Sequence, residues 1–402
     1  MNINKSYKVE INPNNKQRTL LLQHAGAARF AYNWGLARKI EEYKTAKKSS
    51  SAIDQHKQLV QLKRTPEYVW LYTISKCAPQ EALRDLEKAY QNFFRRVKNG
   101  ETPGFPKFKS RRKGIGSFRL MGDIKIYSNK VRLPKIGIIR LKEKNYIPIN
   151  AKFSSITCSE KSGHWFISIS CKEEILETSK GTGTIGIDLG IKQLATLSDK
   201  RIFDNPKFLN KNLKKLARLQ RRLSRQQKGS NNRNKTKEKI SKLYYKISNM
   251  RNDRIHKITS SIIKVKTKPK MIVLEDLSVS KMLKNKYLSR SISDASFNEF
   301  RRQIEYKSNW YGVDVLIAHR YFPSSKLCNN CGNINEELKL SDRTWTCKSC
   351  NTLLDRDLNA AINLANLTTV SSTESNACGQ CNSTWMNQEL NTNFNLLELD
   401  KF

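Results

Sequence analysis

The first hundred residues carry apolar side chains at helical spacing. In NPNNKQRTLLLQHAGAARFAYNWGLARKIEEY, apolar and aromatic residues recur every three or four positions. APQEALRDLEKAYQNFFRRVKNG repeats this pattern and ends at Asn99-Gly100. Such a stripe is typical of a helix that buries one face. We therefore predict an N-terminal helical bundle over about residues 15–100, with polar and basic faces left for solvent or phosphate.

The pattern changes to short alternating stretches between residues 101 and 180. This region begins with ETPGFPKFKSRRKG, a basic loop punctuated by proline and glycine and interleaved with aromatic residues. KIYSNKVRL, GIIRL, SSITCSE and HWFISISC then alternate apolar and polar positions, which is typical of half-buried antiparallel strands. We predict a small β-barrel or sandwich here. A module with a purely structural role is an equally good interpretation.

A third pattern follows the linker KGTGT. GTIGIDLGIKQLATLSDKRIF predicts strands with tight turns, and KMIVLED and VDVLIAH predict short buried strands. Residues 211–263 carry two leucine- and isoleucine-rich stripes separated by GSNNRN, which predicts a basic helical hairpin. Strands, helix, strand, helix, strand, cysteine segment and helix follow in this order, so we predict a mixed α/β domain. The tail after residue 366 is rich in Asn, Ser and Thr and is predicted to be disordered.

The charge balance narrows the choice of partner. The chain has 402 residues, with 75 Lys and Arg against 35 Asp and Glu, a net charge of +40. Such an excess favours an anionic partner, above all nucleic acid, with salt-sensitive binding. An anionic membrane is the rival, but the sequence shows no long apolar run and no signal-peptide pattern at its N-terminus. We expect a soluble protein of the cytoplasm.

The cysteines predict a structural metal site. Cys328, Cys331, Cys347 and Cys350 form the pattern C-x2-C-x15-C-x2-C, which suits one tetrahedral Zn²⁺. Four thiolates leave no open coordination position, so this zinc holds a ribbon together and does no chemistry. A further pair in the tail either joins a metal site or has no structural role: Cys378 and Cys381.

Acidic residues at strand and helix ends predict a second, different metal site. Asp188 lies in the apolar strand TIGIDLGI, Glu275 ends MIVLE, and Asp357 begins the helix DLNAAINL. A carboxylate in an apolar strand is costly without compensation, and Mg²⁺ prefers carboxylate oxygens. We predict that these acids hold catalytic Mg²⁺, with a solvated strand end as the alternative for Glu275. Further candidates for supporting or surface roles are Asp199, Asp276, Asp355 and Asn359, the last as a hydrogen-bonding residue or a helix cap.

The segments GIDLGIKQLATLS, IVLEDLSV, YFPSSKLCNNCG, CKSC and DRDLNAAINL resemble, in this order, the TnpB family. RTLLLQHAGAARFAYNWGL and TPGFPKFKSRR extend the resemblance upstream, so that it covers about residues 5–365. These proteins are RNA-guided nucleases of insertion sequences, related to type V CRISPR effectors. The resemblance implies that Asp188, Glu275 and Asp357 are the catalytic acids of an RNase H-like RuvC domain, which uses Mg²⁺, with two ions expected. It also implies a noncoding guide RNA, a double-stranded DNA target and a short adjacent DNA motif.

The resemblance also implies a domain plan of mixed α+β and α/β type. Residues 1–180 form a wedge β-barrel, with strands from about 1–12 and 115–175, into which the helical region 15–100 is inserted. Residues 181–323 form the first part of the RuvC-like domain, 324–352 the inserted zinc ribbon and 353–366 the final helix. A second nuclease domain of His-Asn-His type is not expected, because the five histidines do not cluster. One protein or two per RNA stays open.

Several residues are candidates for nucleic-acid contact, each with an ordinary surface or core role as the alternative. Stacking, phosphate contact and reading of a base edge are the expected modes. The candidates are Tyr72, Lys76, Gln80, Lys107, Lys109, Arg111, Arg112, Lys113, Arg221 and Arg222. Tyr72, like Trp70, also suits a core position.

Three other functions compete with an RNA-guided endonuclease. A nuclease-inactive RNA-guided repressor is one, an accessory transposase is the second, and a zinc-ribbon transcription factor is the third. The retained acids argue against the repressor and leave the transcription factor without an explanation for them. No separate module for recognising transposon ends is evident, which argues against strand transfer.

Overall fold

This computed structural model describes residues 2–47, 49–111, 114–148, 152–174, 181–265, 267–339 and 341–370. The chain divides into two units. Unit 1 comprises Met1–Glu177 and Lys211–Met250, and unit 2 comprises Thr178–Asn210 and Arg251–Phe402. Of the predicted features, the cysteine pair Cys378 and Cys381, the loop residues Arg112 and Lys113, and the tail beyond Val370 lie outside the described residues.

Unit 1 begins with a strand and a helical region. The helices are α1 (Asn15–Ala46), α2 (Ala52–Leu62), a 3-10 helix (Pro66–Tyr72) and α3 (Cys77–Lys98). Asn14 and Gln17 form a reciprocal capping box that starts α1, with hydrogen bonds of 2.9 and 3.0 Å. The predicted apolar stripes are buried, including Leu21, Leu36 and Leu83. The N-terminal helical region is therefore present as predicted.

The strands of unit 1 form an open antiparallel sheet. They are β1 (Asn2–Asn12), β2 (Ser117–Met121), β3 (Lys125–Ile126), β4 (Lys130–Leu133), β5 (Gly137–Leu141), β6 (Ser155–Lys161) and β7 (His164–Glu174). Within the described residues the order is β2-β6-β7-β1-β5-β4-β3. The prediction of a closed barrel is wrong for these residues. β3 offers only two residues for pairing, and β2 packs against α3 instead, where Arg119 pairs with Glu81 at 2.9 Å.

The predicted basic hairpin is present as α4 (Phe208–Arg225) and α5 (Asn231–Ile263). Leu216, Leu243 and Ile247 point inward and are buried. The hairpin residues 211–250 belong to unit 1, and they pack on the turn between β6 and β7. There, the Ser241 and Ser162 hydroxyls are 2.7 Å apart, and the Tyr245 ring stacks on His164 at 5.1 Å.

Unit 2 is built on a mixed sheet. Its strands are β8 (Thr184–Asp188), β9 (Gln193–Leu197), β10 (Ile202–Asp204), β11 (Met271–Glu275) and β12 (Asp314–Ala318). In the described residues their order is β10-β9-β8-β11-β12, and β8, β11 and β12 run parallel. Three helices lie between β11 and β12: α6 (Val279–Met282), α7 (Ser289–Ala295) and α8 (Phe297–Tyr311).

After β12 come the cysteine segment, with β13 (Thr344–Thr346) and β14 (Leu353–Asp355), and then α9 (Arg356–Val370). The two faces of the unit 2 sheet have different coverings. Ile187 and Leu274 point to one face and join a core with α5 and α8. Val273 points to the other face and packs with Leu364 of α9. No helix in the described part of the chain has the length and apolar character needed to cross a membrane.

Candidate active site and metal centre

Strand pairing places two of the predicted acids side by side. β8 and β11 are parallel neighbours, and Ile187 pairs with Leu274. The next residues along the two strands are Asp188 and Glu275, each the last residue of its strand. Because side chains alternate between faces, both acids point to the face that α9 covers. The carboxyl ends of parallel strands are where open α/β sheets bind ligands.

Helix α9 brings in the third acid. The Asp355 carboxylate accepts a 2.8 Å hydrogen bond from the Leu358 amide and caps the helix, so that Asp357 lies in its first turn. The helix can lie close to β8 because position 186 is glycine. A Cβ atom there would lie 2.0 Å from the Ala361 carbonyl oxygen.

Asp188 is buried beside the negative charges of the other two carboxylates. Burial raises the pKa of Asp188 well above its ordinary value, and the negative charges of Glu275 and Asp357 raise it further. Burial also raises the pKa of Glu275, although hydrogen bonding to Ser324 and the positive charge of Arg356 oppose this rise. Carboxylates whose pKa is raised in this way, as in Asp188 and Glu275, are typical of a functional site.

Neighbouring side chains hold the outer two acids. The Ser324 hydroxyl donates a hydrogen bond to the Glu275 carboxylate. Arg343, just before β13, lies 3.4 Å from a carboxylate oxygen of Asp357. All three acids remain partly exposed, so a cation and a phosphate group can reach them.

The donor set fits a divalent cation. Carboxylate oxygens are the ligands that Mg²⁺ prefers, and a cation would remove the repulsion that raises the pKa of Asp188. The acids are less tightly grouped than the cysteines, which alone among the described residues have all their donor atoms within 4.8 Å of one another. Looser spacing is compatible with two ions about 3.5–4 Å apart.

The four cysteines form a separate cluster that can hold a metal ion. Cys328 and Cys350 have their sulfurs 3.7 Å apart, and Cys331 and Cys347 have theirs 3.6 Å apart. Tetrahedral zinc with Zn–S bonds of about 2.3 Å requires sulfurs about 3.8 Å apart. The cluster therefore fits zinc.

The other polar candidates have local roles. Asp276 pairs with Arg301 at 3.1 Å and also with Arg320. Asp199 pairs with Arg201 at 2.7 Å, in the turn between β9 and β10. Asp355 is the cap of α9. Asn359 is not the cap of the helix; its buried side chain hydrogen-bonds the backbone on both sides of Cys328.

The candidate nucleic-acid contacts that the structure describes lie in unit 1. Tyr72 and Trp70 are 55% and 41% exposed, so the core interpretation of both residues is wrong. The loop backbone at Lys109 is fixed to Asn33 of α1 by hydrogen bonds of 2.8 and 2.9 Å. Gln80 is partly buried in the first turn of α3, and the remaining described candidates are exposed: Lys76, Lys107, Lys109, Arg111, Arg221 and Arg222.

The hairpin also forms a basic groove that single residues did not predict. Its volume is 630 Å³, and its walls come from both helices of the hairpin. Six of its eight lining residues are cationic: Lys215, Arg218, Arg222, Lys239, Lys242 and Lys246. Sequence reasoning included only Arg222 of this set. Reading the two helices at a spacing of three to four residues would have found the others.

Three residues near the acids were also missed: Ser324, Arg343 and Asn363. None has a distinctive spacing in the sequence, because each acts through a tertiary contact. The available signal was that Ser324 and Asn363 lie in YFPSSKLCNNCG and DRDLNAAIN, two segments that carry the family resemblance, and that Arg343 lies between the two cysteine pairs.

Family models match three parts of the chain. One described as a probable transposase matches residues 156–286, and one described as a Cas12f1-like TNB domain matches residues 297–364. A third, described as a helix-turn-helix domain, matches residues 1–48, although the described residues there form β1 and the single long helix α1. The matches define the class as transposase-associated proteins.

Individual relatives then give the family. The chain is 35% identical over 377 residues to "Putative RNA-guided DNA endonuclease InsQ" of Escherichia coli K12, covering 89% of this chain and 91% of that protein. It is 33% identical over 365 residues to "Putative RNA-guided DNA endonuclease" of Streptomyces pristinaespiralis, covering 90% of this chain and 89% of that protein. The chain belongs to the TnpB family, as its motifs predicted.

The fold has a relative among solved structures. It is a chain of the cryo-EM structure of the Cas12f1-sgRNA-target DNA complex, with a TM-score of 0.56 and 17% identity. The match covers 91% of this chain and 99% of that chain. At this identity the likeness establishes the fold alone.

Proposed function

We propose that this protein is an RNA-guided DNA endonuclease. It uses a noncoding RNA derived from its transposon to cut double-stranded DNA beside a short adjacent motif. The family and the descriptions of its relatives support this function, and so does the net charge of +40. The division of labour has a physical basis, because base pairing reads the sequence while basic surfaces hold the backbones.

One observation carries the proposed chemistry: three carboxylates from two parallel strands and a helix start meet at one sheet edge, where Asp188 resists ionisation. We assign Asp188, Glu275 and Asp357 as the catalytic acids of a RuvC-like domain. When bound there, Mg²⁺ supplies charge stabilisation for the scissile phosphate and activation of the attacking water. The protein fixes the three carboxylates in the required arrangement before the DNA arrives.

The individual roles follow from the contacts. The negative charges of both other acids act on Asp188, so its ionised form gains most from a bound cation. Asp188 therefore anchors the site. Glu275 is held through one oxygen by Ser324, which leaves the other oxygen for a cation. Asp357 is held by Arg343, which also supplies positive charge beside the place where the phosphate binds.

The zinc ribbon supports this site without taking part in the reaction. Cys328, Cys331, Cys347 and Cys350 would hold one Zn²⁺ with four thiolates, which would leave no position for water or substrate. The ribbon leads directly from Cys350 through β14 into α9 and Asp357. Its proposed role is to fix the start of that helix.

The basic groove of the hairpin is the proposed contact for the RNA backbone. Six cations face this groove. Of these six, Lys242 pairs with an acid, Glu238, at 2.7 Å. Lysine and arginine in such a concave surface neutralise phosphates and release counterions. The exposed loop residues Lys107, Lys109 and Arg111, together with Tyr72 and Lys76, are further proposed contacts for nucleic acid.

Copurification tests the proposed function directly. The RNA bound to the purified protein is sequenced, and a duplex that matches its guide segment is flanked by randomised bases and offered with Mg²⁺. We expect cleavage beside an enriched motif, and loss of cleavage on Asp188→Ala. If no RNA copurifies and the cleavage is unguided, the proposal is wrong. If RNA directs binding without Mg²⁺-dependent cleavage, the protein is a guided repressor instead.

A further inference from the structure

Two buried asparagines of α9 hold the base of the zinc ribbon. Asn359 and Asn363 are 1% and 4% exposed. The Asn359 amide nitrogen donates to the Leu327 carbonyl at 2.7 Å, and its oxygen accepts from the Asn329 amide at 2.9 Å. These two backbone groups flank Cys328. Asn359 therefore holds the first zinc ligand from both sides, and a buried carboxamide with both ends satisfied is a rigid anchor.

Asn363, one turn further along α9, holds the segment that precedes this cysteine. Its amide nitrogen donates to the Leu327 carbonyl at 2.6 Å and to the Ser324 carbonyl at 2.8 Å. The Ser324 amide donates to the Phe322 carbonyl at 2.8 Å. The backbone of Ser324 is thus fixed through both its carbonyl and its amide.

The side chain of Ser324 points toward Glu275. It is 4% exposed, and its hydroxyl donates to one carboxylate oxygen of Glu275. Glu275 ends β11, and its side chain has three rotatable bonds. A hydrogen bond from a fixed hydroxyl selects one orientation of this carboxylate, in which its second oxygen stays available.

We propose that Ser324 is a positioning residue for Glu275, and that Asn359 and Asn363 fix Ser324 from α9. The inference rests on the proposed function, because it assigns Glu275 as a ligand of the catalytic cation. It adds a route by which the base of the zinc ribbon and the acid site are held together. Partners that orient ligating carboxylates affect metal affinity or activity by about 10–100-fold.

The test measures metal binding as well as cleavage. Ser324→Ala removes the hydroxyl alone, and Ser324→Thr and Ser324→Val form a pair of equal shape that differ in keeping it. Ser325→Ala is the matched control, because Ser325 contributes to this network through its backbone carbonyl. Mn²⁺ binding to the RNA-bound protein is measured by calorimetry, together with zinc content, unfolding temperature and the Mg²⁺ dependence of cleavage.

We expect Ser324→Ala to weaken Mn²⁺ binding and to raise the Mg²⁺ concentration needed for cleavage by about 10–100-fold, with zinc retained. The Ser324→Thr variant should bind Mn²⁺ more tightly than the Ser324→Val variant. Asn363→Ala should weaken binding less than Ser324→Ala does, because the Ser324 hydroxyl remains. Equal Mn²⁺ binding by Ser324→Ala and Ser325→Ala overturns the proposal. Loss of zinc in Ser324→Ala also overturns it, because Ser324 would then support the ribbon and not Glu275.

Asp188→Ala separates this inference from the proposed function. If that variant still cuts the guided duplex, the assignment of the acid site is wrong. If it is inactive while Ser324→Ala binds Mn²⁺ normally, the acid site stands and only the positioning role fails.

Discussion

Gly186→Ala tests whether the close approach of α9 to β8 is needed for cleavage. The new methyl group would lie 2.0 Å from the Ala361 carbonyl oxygen, 2.6 Å from the Ala365 amide nitrogen and 3.0 Å from the Leu364 Cβ, whereas real Cβ contacts start at about 3.0 Å. The two nearest atoms are backbone atoms of a helix, so no side-chain rotation relieves the clash. The helix and the strand must separate by about 1 Å.

This displacement predicts two measurable effects. Overpacking of this kind typically costs about 1–3 kcal/mol of unfolding free energy. For a unit of this size, each kcal/mol lowers the unfolding temperature by about 2–4 °C. The displacement also moves Asp357 away from Asp188, and a 1 Å misplacement in an active site costs about 100-fold in rate.

The assay compares single-turnover cleavage of a guided duplex with binding of the same duplex. We expect cleavage to fall about 100-fold. Guided DNA binding should change little, because none of the three acids and no residue of the basic groove is altered. Gly26→Ala is the control for adding a methyl group, since the nearest atom to its Cβ would be a side-chain nitrogen of Arg29 at 3.9 Å. Wild-type cleavage by Gly186→Ala would refute the requirement for close helix packing.

The remaining predictions concern charge and zinc. Asp188→Asn should raise the unfolding temperature in metal-free buffer. Because folding raises the pKa of Asp188, the stability of the wild type should fall as the pH rises from the ordinary pKa of this carboxyl through its raised pKa in the folded protein. The Asn variant should not show this fall. Mg²⁺ should stabilise the wild type and not Asp188→Asn, and equal melting curves would contradict this. Cys350→Ser should lower zinc content and unfolding temperature more than it weakens RNA binding. Unchanged zinc content by elemental analysis would contradict the assignment of Cys350 as a zinc ligand. Arg218→Ala with Arg222→Ala should weaken RNA binding and reduce its salt slope by about 2, whereas Lys228→Ala, in the hairpin turn, should not, as titrations at several salt concentrations can check.

Patterns of period two and period 3.6 predicted most of the fold. The stripes that include Leu21 and Leu243 became buried helix faces, and the alternating segments became strands. The barrel prediction failed because alternation shows that a strand is half-buried and does not show which strands pair at the ends. β3, with two residues, leaves too little backbone to close the sheet.

The candidate site was predictable where a residue type is unusual for its position. Asp188 stood out as a charge in an apolar strand, and the four cysteines stood out by spacing. Ser324 and Asn363 did not stand out, because serine and asparagine are ordinary residues beside a zinc knuckle. Their importance comes from hydrogen bonds to carbonyls 36 and 39 residues away for Asn363 and to a carboxylate 49 residues away for Ser324, and no local pattern records such contacts.

Helix α9 is the element on which all three proposed catalytic acids depend. It carries Asp357 in its first turn, it packs on Gly186 two residues before Asp188, and its Asn363 fixes the serine that holds Glu275. Strand pairing alone would bring Asp188 and Glu275 together, but it leaves the Glu275 carboxylate without a fixed orientation and the third acid absent. Packing of α9 on the sheet supplies the third acid, Asp357, and the contact that orients the Glu275 carboxylate. A change that shifts this helix should therefore reduce metal binding at all three acids together, whereas loss of a single acid removes one ligand and leaves the other two in place.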